Sequence, residues 1–110
     1  MMRAAAAGAM LMAACGAAHA QRVSKVDGNR LLAMCTTKSA GECDAYLSGV
    51  SDTIEAEGRA RAPACIPTAV TGNQMRDVVI KYIHDNPQSR ELKAGLLTIK
   101  ALSAAFPCRN

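Results

Sequence analysis

Cys43-Asp44-Ala45-Tyr46-Leu47-Ser48-Gly49-Val50-Ser51-Asp52 decides the fold. Cys43, Tyr46, Leu47, Val50 and Ile54 recur at helical spacing and make one apolar stripe. The residues between them are small or polar, as the solvent side of an amphipathic helix requires. The cysteine at the head of the stripe ties this helix to another segment. Its bounds read as about Glu42 to Glu57. Glu42 and Asp44 suit the positive end of the helix dipole, and Gly58 is a natural stop. Gly49 costs about 1 kcal/mol relative to Ala inside a helix. The expected compensation is close approach of a neighbouring backbone.

On the N-terminal side, Asp27 reads as the cap of a first helix from about Gly28 to Thr36, with Leu31, Leu32, Met34 and Cys35 as its apolar residues. The polar segment from Thr36 to Gly41 is a loop. On the C-terminal side, Arg59 to Val70 holds Pro63, Cys65 and Pro67, which describes an ordered connection and not a helix. Thr71 and Gln74 fit a capping box. Met75, Val78, Val79, Tyr82 and Ile83 then form the face of a third helix. Val78-Val79-Ile80 has strand propensity, but the helical spacing around it and the capping box outweigh that. Asn86-Pro87 is expected to end this helix and start the next, with Pro87 at its first position. The fourth carries Leu92, Leu96, Leu97, Ile99, Leu102 and Ala105, and Phe106-Pro107-Cys108 follows it. Four helices with short connections describe an all-α, small four-helix domain.

The first twenty residues read as a leader. Arg3 is a short positive region, Ala4 to Ala14 is an uncharged run, and Ala18-His19-Ala20 places small residues at a signal peptidase site. The expected domain is therefore residues 21–110, exported by a cleavable signal peptide to the periplasm. The uncharged run falls short of the ~20 apolar residues of a membrane span. Met12-Ala13-Ala14-Cys15 offers a competing lipoprotein reading through Cys15. The Ala-His-Ala site is the better match, because Met12 stands where a lipobox has Leu.

Without the leader about 90 residues remain, enough for one domain with a modest core that a covalent staple would strengthen. Cys35, Cys43, Cys65 and Cys108 are left, and an even count in an exported chain reads as two disulfides with three possible connectivities. If consecutive helices run antiparallel, Cys35 and Cys43 flank one short loop. Cys65 before the third helix then shares an end with Cys108 after the fourth. The expected pairs are therefore Cys35–Cys43 and Cys65–Cys108.

Composition excludes several functions. The chain carries 13 basic and 9 acidic residues, a net charge of +4, interspersed and without a basic block or aromatic platform for nucleic acid. His84 is the only histidine outside the leader, and Cys-x-x-Cys pairs are absent, so zinc and triad chemistry lack donors. A catalytic Cys–His pair would need a free thiol. Asp52, Glu55 and Glu57 read as a solvated helix face. Met34 and Met75 read as core, and without a Cys-x-x-Cys-His motif no haem or other cofactor is expected. A small, stapled, non-enzymatic domain works by binding. Arg59, Arg61, Pro63 and Ile66 are the expected partner-binding residues, on a loop held by prolines and a cysteine.

The order of motifs resembles a known family. Gly28-Asn29-x-Leu31-Leu32-x-x-Cys35 precedes Cys43-x-x-Tyr46-Leu47-x-Gly49-Val50-x-Asp52. Cys65-Ile66-Pro67, Val78-Val79-x-x-Tyr82-Ile83, Asn86-Pro87 and Ala105-Phe106-Pro107-Cys108 follow. This pattern resembles the Rap/Tai family of periplasmic immunity proteins. The resemblance implies a compact all-α fold and frequently a homodimer. It also implies a peptidoglycan amidase effector as partner, delivered by type VI secretion and inhibited by occlusion of its cysteine–histidine active site. The alternatives are a periplasmic stress chaperone or a structural envelope protein without an effector. An acid-activated chaperone would need many carboxylates or histidines, which this basic chain lacks.

Overall fold

The computed structural model describes residues 25–37 and 41–109. The expected leader, its cleavage site and Cys15 lie outside the described residues. The fold is all-α, with four helices and no strand among the described residues.

Helix α1 spans Gly28–Thr36, as its cap predicts. The Asp27 carboxylate accepts the Arg30 N–H at 2.9 Å. Gly28, Leu31 and Cys35 are its buried residues, at one-turn spacing. Helix α2 spans Gly41–Ala56 and buries Cys43, Leu47, Ser51 and Ile54. The Ser51 hydroxyl donates to the Leu47 carbonyl at 2.8 Å and lies 2.9 Å from Met75 Sδ, which lets a polar side chain sit in the core. Helix α3 spans Gly72–Asp85. Both bonds of its capping box form, Gln74 N–H to Thr71 Oγ1 at 3.2 Å and Thr71 N–H to Gln74 Oε1 at 2.8 Å. Val78, Val79 and Ile80 are all within α3.

The fourth helix starts later than its sequence suggests. Pro87–Glu91 forms a 3-10 segment, Leu92 is extended, and α4 spans Ala94–Ala105. Asn86 does not cap the 3-10 segment through its side chain. Its backbone N–H and its Nδ2 both donate to the Tyr82 carbonyl at 2.9 Å, closing α3 instead. The break at Leu92 has a non-local cause. Asp27 and Lys93 form an antiparallel bridge, with Gly28 N–H on the Leu92 carbonyl and Ala94 N–H on the Val26 carbonyl, both at 2.9 Å. Those carbonyls and donors are committed across the fold, so the backbone at 92–93 stays extended.

Two further expectations fail. Gly49 is exposed, and a β-carbon built there meets no heavy atom within 4 Å, so no neighbouring backbone approaches it. The close approach is at Gly28, where a β-carbon would lie 2.7 Å from Leu97 Cδ1 and 2.8 Å from Arg90 Cα. Leu96, expected on the buried face of α4, is 47 % exposed, because Leu97, Thr98, Ala101 and Leu102 take that face.

The core divides in two. Leu31, Cys35, Cys43, Leu47, Val79, Ile83, Ala94, Leu97 and Ala101 form the larger cluster, drawn from all four helices. Ile54, Ala64 and Leu102 form the smaller one. Met75 packs against both, while Met34 packs only on the larger. Arg76 of α3 holds Asp44 of α2 in a two-oxygen grip, with Nη2 2.7 Å from Oδ1 and 2.9 Å from Oδ2.

Both expected disulfides form, Cys35–Cys43 and Cys65–Cys108, each with Cα atoms 4.9 Å apart. The chain-entropy model assigns about 2.5 kcal/mol to the shorter loop and about 4 kcal/mol to the longer.

Candidate functional site

The connection between α2 and α3 is built from the end of α2 outward. Gly58 adopts φ of 73°, a left-handed conformation that favours glycine. Its N–H donates to the Glu55 carbonyl at 3.1 Å, and its carbonyl accepts from Arg61 and Ala62 at 3.1 and 2.9 Å. This compact turn lifts Arg59 and Arg61 into solvent. Neither arginine forms an ion pair among the described residues.

Beyond the turn, the C-terminal end of α4 fastens the chain. The Ser103 hydroxyl donates to the Pro63 carbonyl at 2.7 Å. Cys65 N–H donates to the Phe106 carbonyl at 2.8 Å, and Cys65 is bonded to Cys108. Cys108 Sγ lies 3.7 Å from the Ala62 carbonyl. Ala64, 2 % exposed, is the single fully buried side chain between Gly58 and Val70. It seats the loop on Ile54 and Leu102.

This loop borders two grooves. One, of about 500 Å³, is lined by Ile54, Glu55, Arg59, Cys65, Ile66 and Pro67 among others. The other, of about 380 Å³, includes Val50, Thr53, Glu57, Arg61, Pro63 and Ile99. Ile54 lies in the walls of both. The four expected binding residues are therefore brought into one loop but divided between its sides. Arg59 and Ile66 face the larger groove, and Arg61 and Pro63 the smaller. Both grooves present mainly aliphatic surface with charged side chains at their edges, which suits protein contact more than a small polar substrate.

A match to the model of the Rap1a immunity proteins covers residues 27–108. The chain belongs to the Rap1a immunity family. No curated protein and no solved structure matched it. Members of the Rap1a family act by binding a secreted effector, without catalysis, and are typically periplasmic. This Rap1a chain is accordingly a non-enzymatic immunity protein with an effector as partner.

The groups with chemical potential elsewhere do not converge on the loop. His84 is exposed in the last turn of α3, and Asp52 is exposed on α2 outside both grooves. No group of three or more His, Cys, Asp or Glu among the described residues could hold a metal ion. No helix among the described residues is long and apolar enough to cross a membrane. Val50, Thr53 and Ile99, which also line the smaller groove, carry no distinctive marker of it in the sequence. Their only local signal is an apolar or β-branched side chain on a helix, and Pro63 of the loop lines the same groove.

Proposed function

We propose that this immunity protein inhibits a peptidoglycan amidase effector of type VI secretion, in the periplasm, by occluding its active site. The Arg59–Ile66 loop, supported by the adjoining surface of α2, is the occluding element. The observation that carries this reading is that the loop is exposed yet fastened, by the Cys65–Cys108 disulfide and the Ser103–Pro63 bond. A loop already ordered loses little entropy on docking, so its contacts convert into affinity. Arg59 and Arg61 are free to reach carboxylates or carbonyls of the partner. Pro63 and Ile66 offer apolar contact beside them. The resemblance of the motif order to Rap/Tai immunity proteins supports the amidase as target and a cysteine–histidine site as what is covered.

The same reading includes removal of residues 1–20 on export and assembly into a homodimer. Intact mass of protein recovered from the periplasm tests the first, and light scattering on the purified chain tests the second.

The deciding experiment pairs the protein with a peptidoglycan amidase effector of type VI secretion and follows peptidoglycan cleavage. The expected result is stoichiometric inhibition. Arg59→Ala with Arg61→Ala should weaken binding at least about tenfold, since arginines at an interface centre often act as hot spots. Unchanged affinity removes the loop from the mechanism, and uninhibited cleavage removes the amidase.

A further inference from the structure

We propose that Cys65–Cys108 is a redox latch on the Arg59–Ile66 loop, opened by a dithiol reductant while Cys35–Cys43 remains closed. The consequence for effector binding rests on the function proposed above. The opening itself is a property of this chain and is measured without any partner.

The two disulfides differ in access. Cys35 is 5 % exposed and Cys43 fully buried, both inside the large core cluster. Cys65 and Cys108 are only half-buried, and Cys65 forms part of the wall of the 500 Å³ groove. Thiol–disulfide exchange needs a thiolate to reach a sulfur, so access sets which bond is attacked first. A groove open to solvent at Cys65 admits a small or protein-borne thiol. The packed helices around Cys43 do not.

The two bonds differ as well in what remains after cleavage. Around Cys35 and Cys43, helices α1 and α2 stay joined by Leu31, Leu47, Val79 and their neighbours. Around Cys65, the loop keeps the Cys65–Phe106 and Ser103–Pro63 hydrogen bonds and the buried Ala64 methyl. Segments held by few buried contacts and solvent-exposed hydrogen bonds are those that open locally. Reduction therefore loosens the loop and leaves the helical core in place.

The chemistry balances within the proposal. A thiolate of the dithiol attacks one of the two sulfurs, and the S–S bond breaks with its electron pair on the other cysteine, which takes a proton. The dithiol's second thiolate displaces the remaining protein sulfur from the mixed disulfide and closes a new disulfide on the reductant. That sulfur also takes a proton. The dithiol is oxidised by two electrons, and Cys65 and Cys108 are reduced to thiols.

The test starts from protein purified with both disulfides intact, titrated with dithiothreitol and trapped by alkylation. Mass mapping should find Cys65 and Cys108 labelled at least about tenfold faster than Cys35 and Cys43. Equal rates, or labelling of Cys35 and Cys43 first, overturn the proposal. Amide hydrogen exchange of the singly reduced protein should accelerate at least about tenfold over residues 59–66, while its helical circular dichroism stays that of the oxidised protein. Unchanged exchange over those residues also overturns it. Cys65→Ser with Cys108→Ser should reproduce the exchange of the reduced protein without any reductant. Should that variant fail to fold, the titration still decides, because it begins from folded protein. With the amidase added, reduction should weaken inhibition. An oxidised protein that binds no amidase removes the proposed function and leaves the latch standing. An amidase bound equally well with the loop open removes the latch's regulatory role.

Discussion

The Cys35–Cys43 and Cys65–Cys108 bonds are chemically alike and do different work. The first lies inside a nine-residue apolar cluster drawn from all four helices. The second stands beside a cluster of three, Ile54, Ala64 and Leu102, where covalent connection replaces packing that the sequence does not supply. A small domain cannot bury apolar surface everywhere. Here the packing is concentrated where four helices meet, and a bond is used where a loop must stay ordered while exposed.

This contrast can be broken most sharply by deleting each bond in turn. Cys65→Ala with Cys108→Ala should lower unfolding free energy by about 4 kcal/mol, and Cys35→Ala with Cys43→Ala by about 2.5 kcal/mol, from loop length alone. Both are read from urea midpoints. If the buried pair costs more than the exposed pair, cavity formation in the large cluster outweighs loop closure and the contrast must be redrawn. A second test weighs the clusters themselves. Leu97→Ala in the large cluster should cost about 3 kcal/mol in chemical denaturation, within the usual range for a buried leucine. Ile66→Ala, at the half-buried edge of the small cluster, should cost about 1 kcal/mol or less. Comparable losses would show that the two clusters are one cooperative core. The smallest effect is a gain. Gly49→Ala should raise stability by up to about 1 kcal/mol, since the position is helical, exposed and unobstructed. A loss there, seen as a lower thermal midpoint, would mean that the bare backbone at Gly49 is used in a way the isolated chain does not show.

How much of this was legible in the sequence follows the range of the interactions. The Asp27 cap, the capping box of Thr71 and Gln74, and the stripe from Cys43 to Ile54 are local, and each appears where the residue spacing places it. The disulfide pairing was legible because helix order determines which cysteines meet. The late start of α4 was not legible, because the bridge between Asp27 and Lys93 joins residues far apart in sequence. Gly28 and Gly49 make the same point. Both look equally available for close contact, and only the fold shows that Leu97 and Arg90 crowd the first and nothing crowds the second. Of the candidate site, the loop residues could be named from Pro63, Cys65 and the two arginines. Their division between two grooves depends on α2 and α4, which bring Val50, Thr53 and Ile99 to one side.

The bridge at Asp27 and Lys93 and the bond at Cys65 and Cys108 also give the domain a mechanical polarity. A pull from the Lys25 side meets Val26 and Gly28 first, and these are held by hydrogen bonds to Ala94 and Leu92 that can be lost one after the other. A pull from Arg109 reaches Cys108 and passes through a covalent link into Cys65. The segment between those cysteines, α3 and α4 included, is then shielded from the load. The segment ahead of α1 should therefore peel first when drawn from the N-terminal side, before the buried Leu31 and the Cys35–Cys43 bond take the load. Drawn from the other side, the domain resists extension for as long as the disulfide is intact.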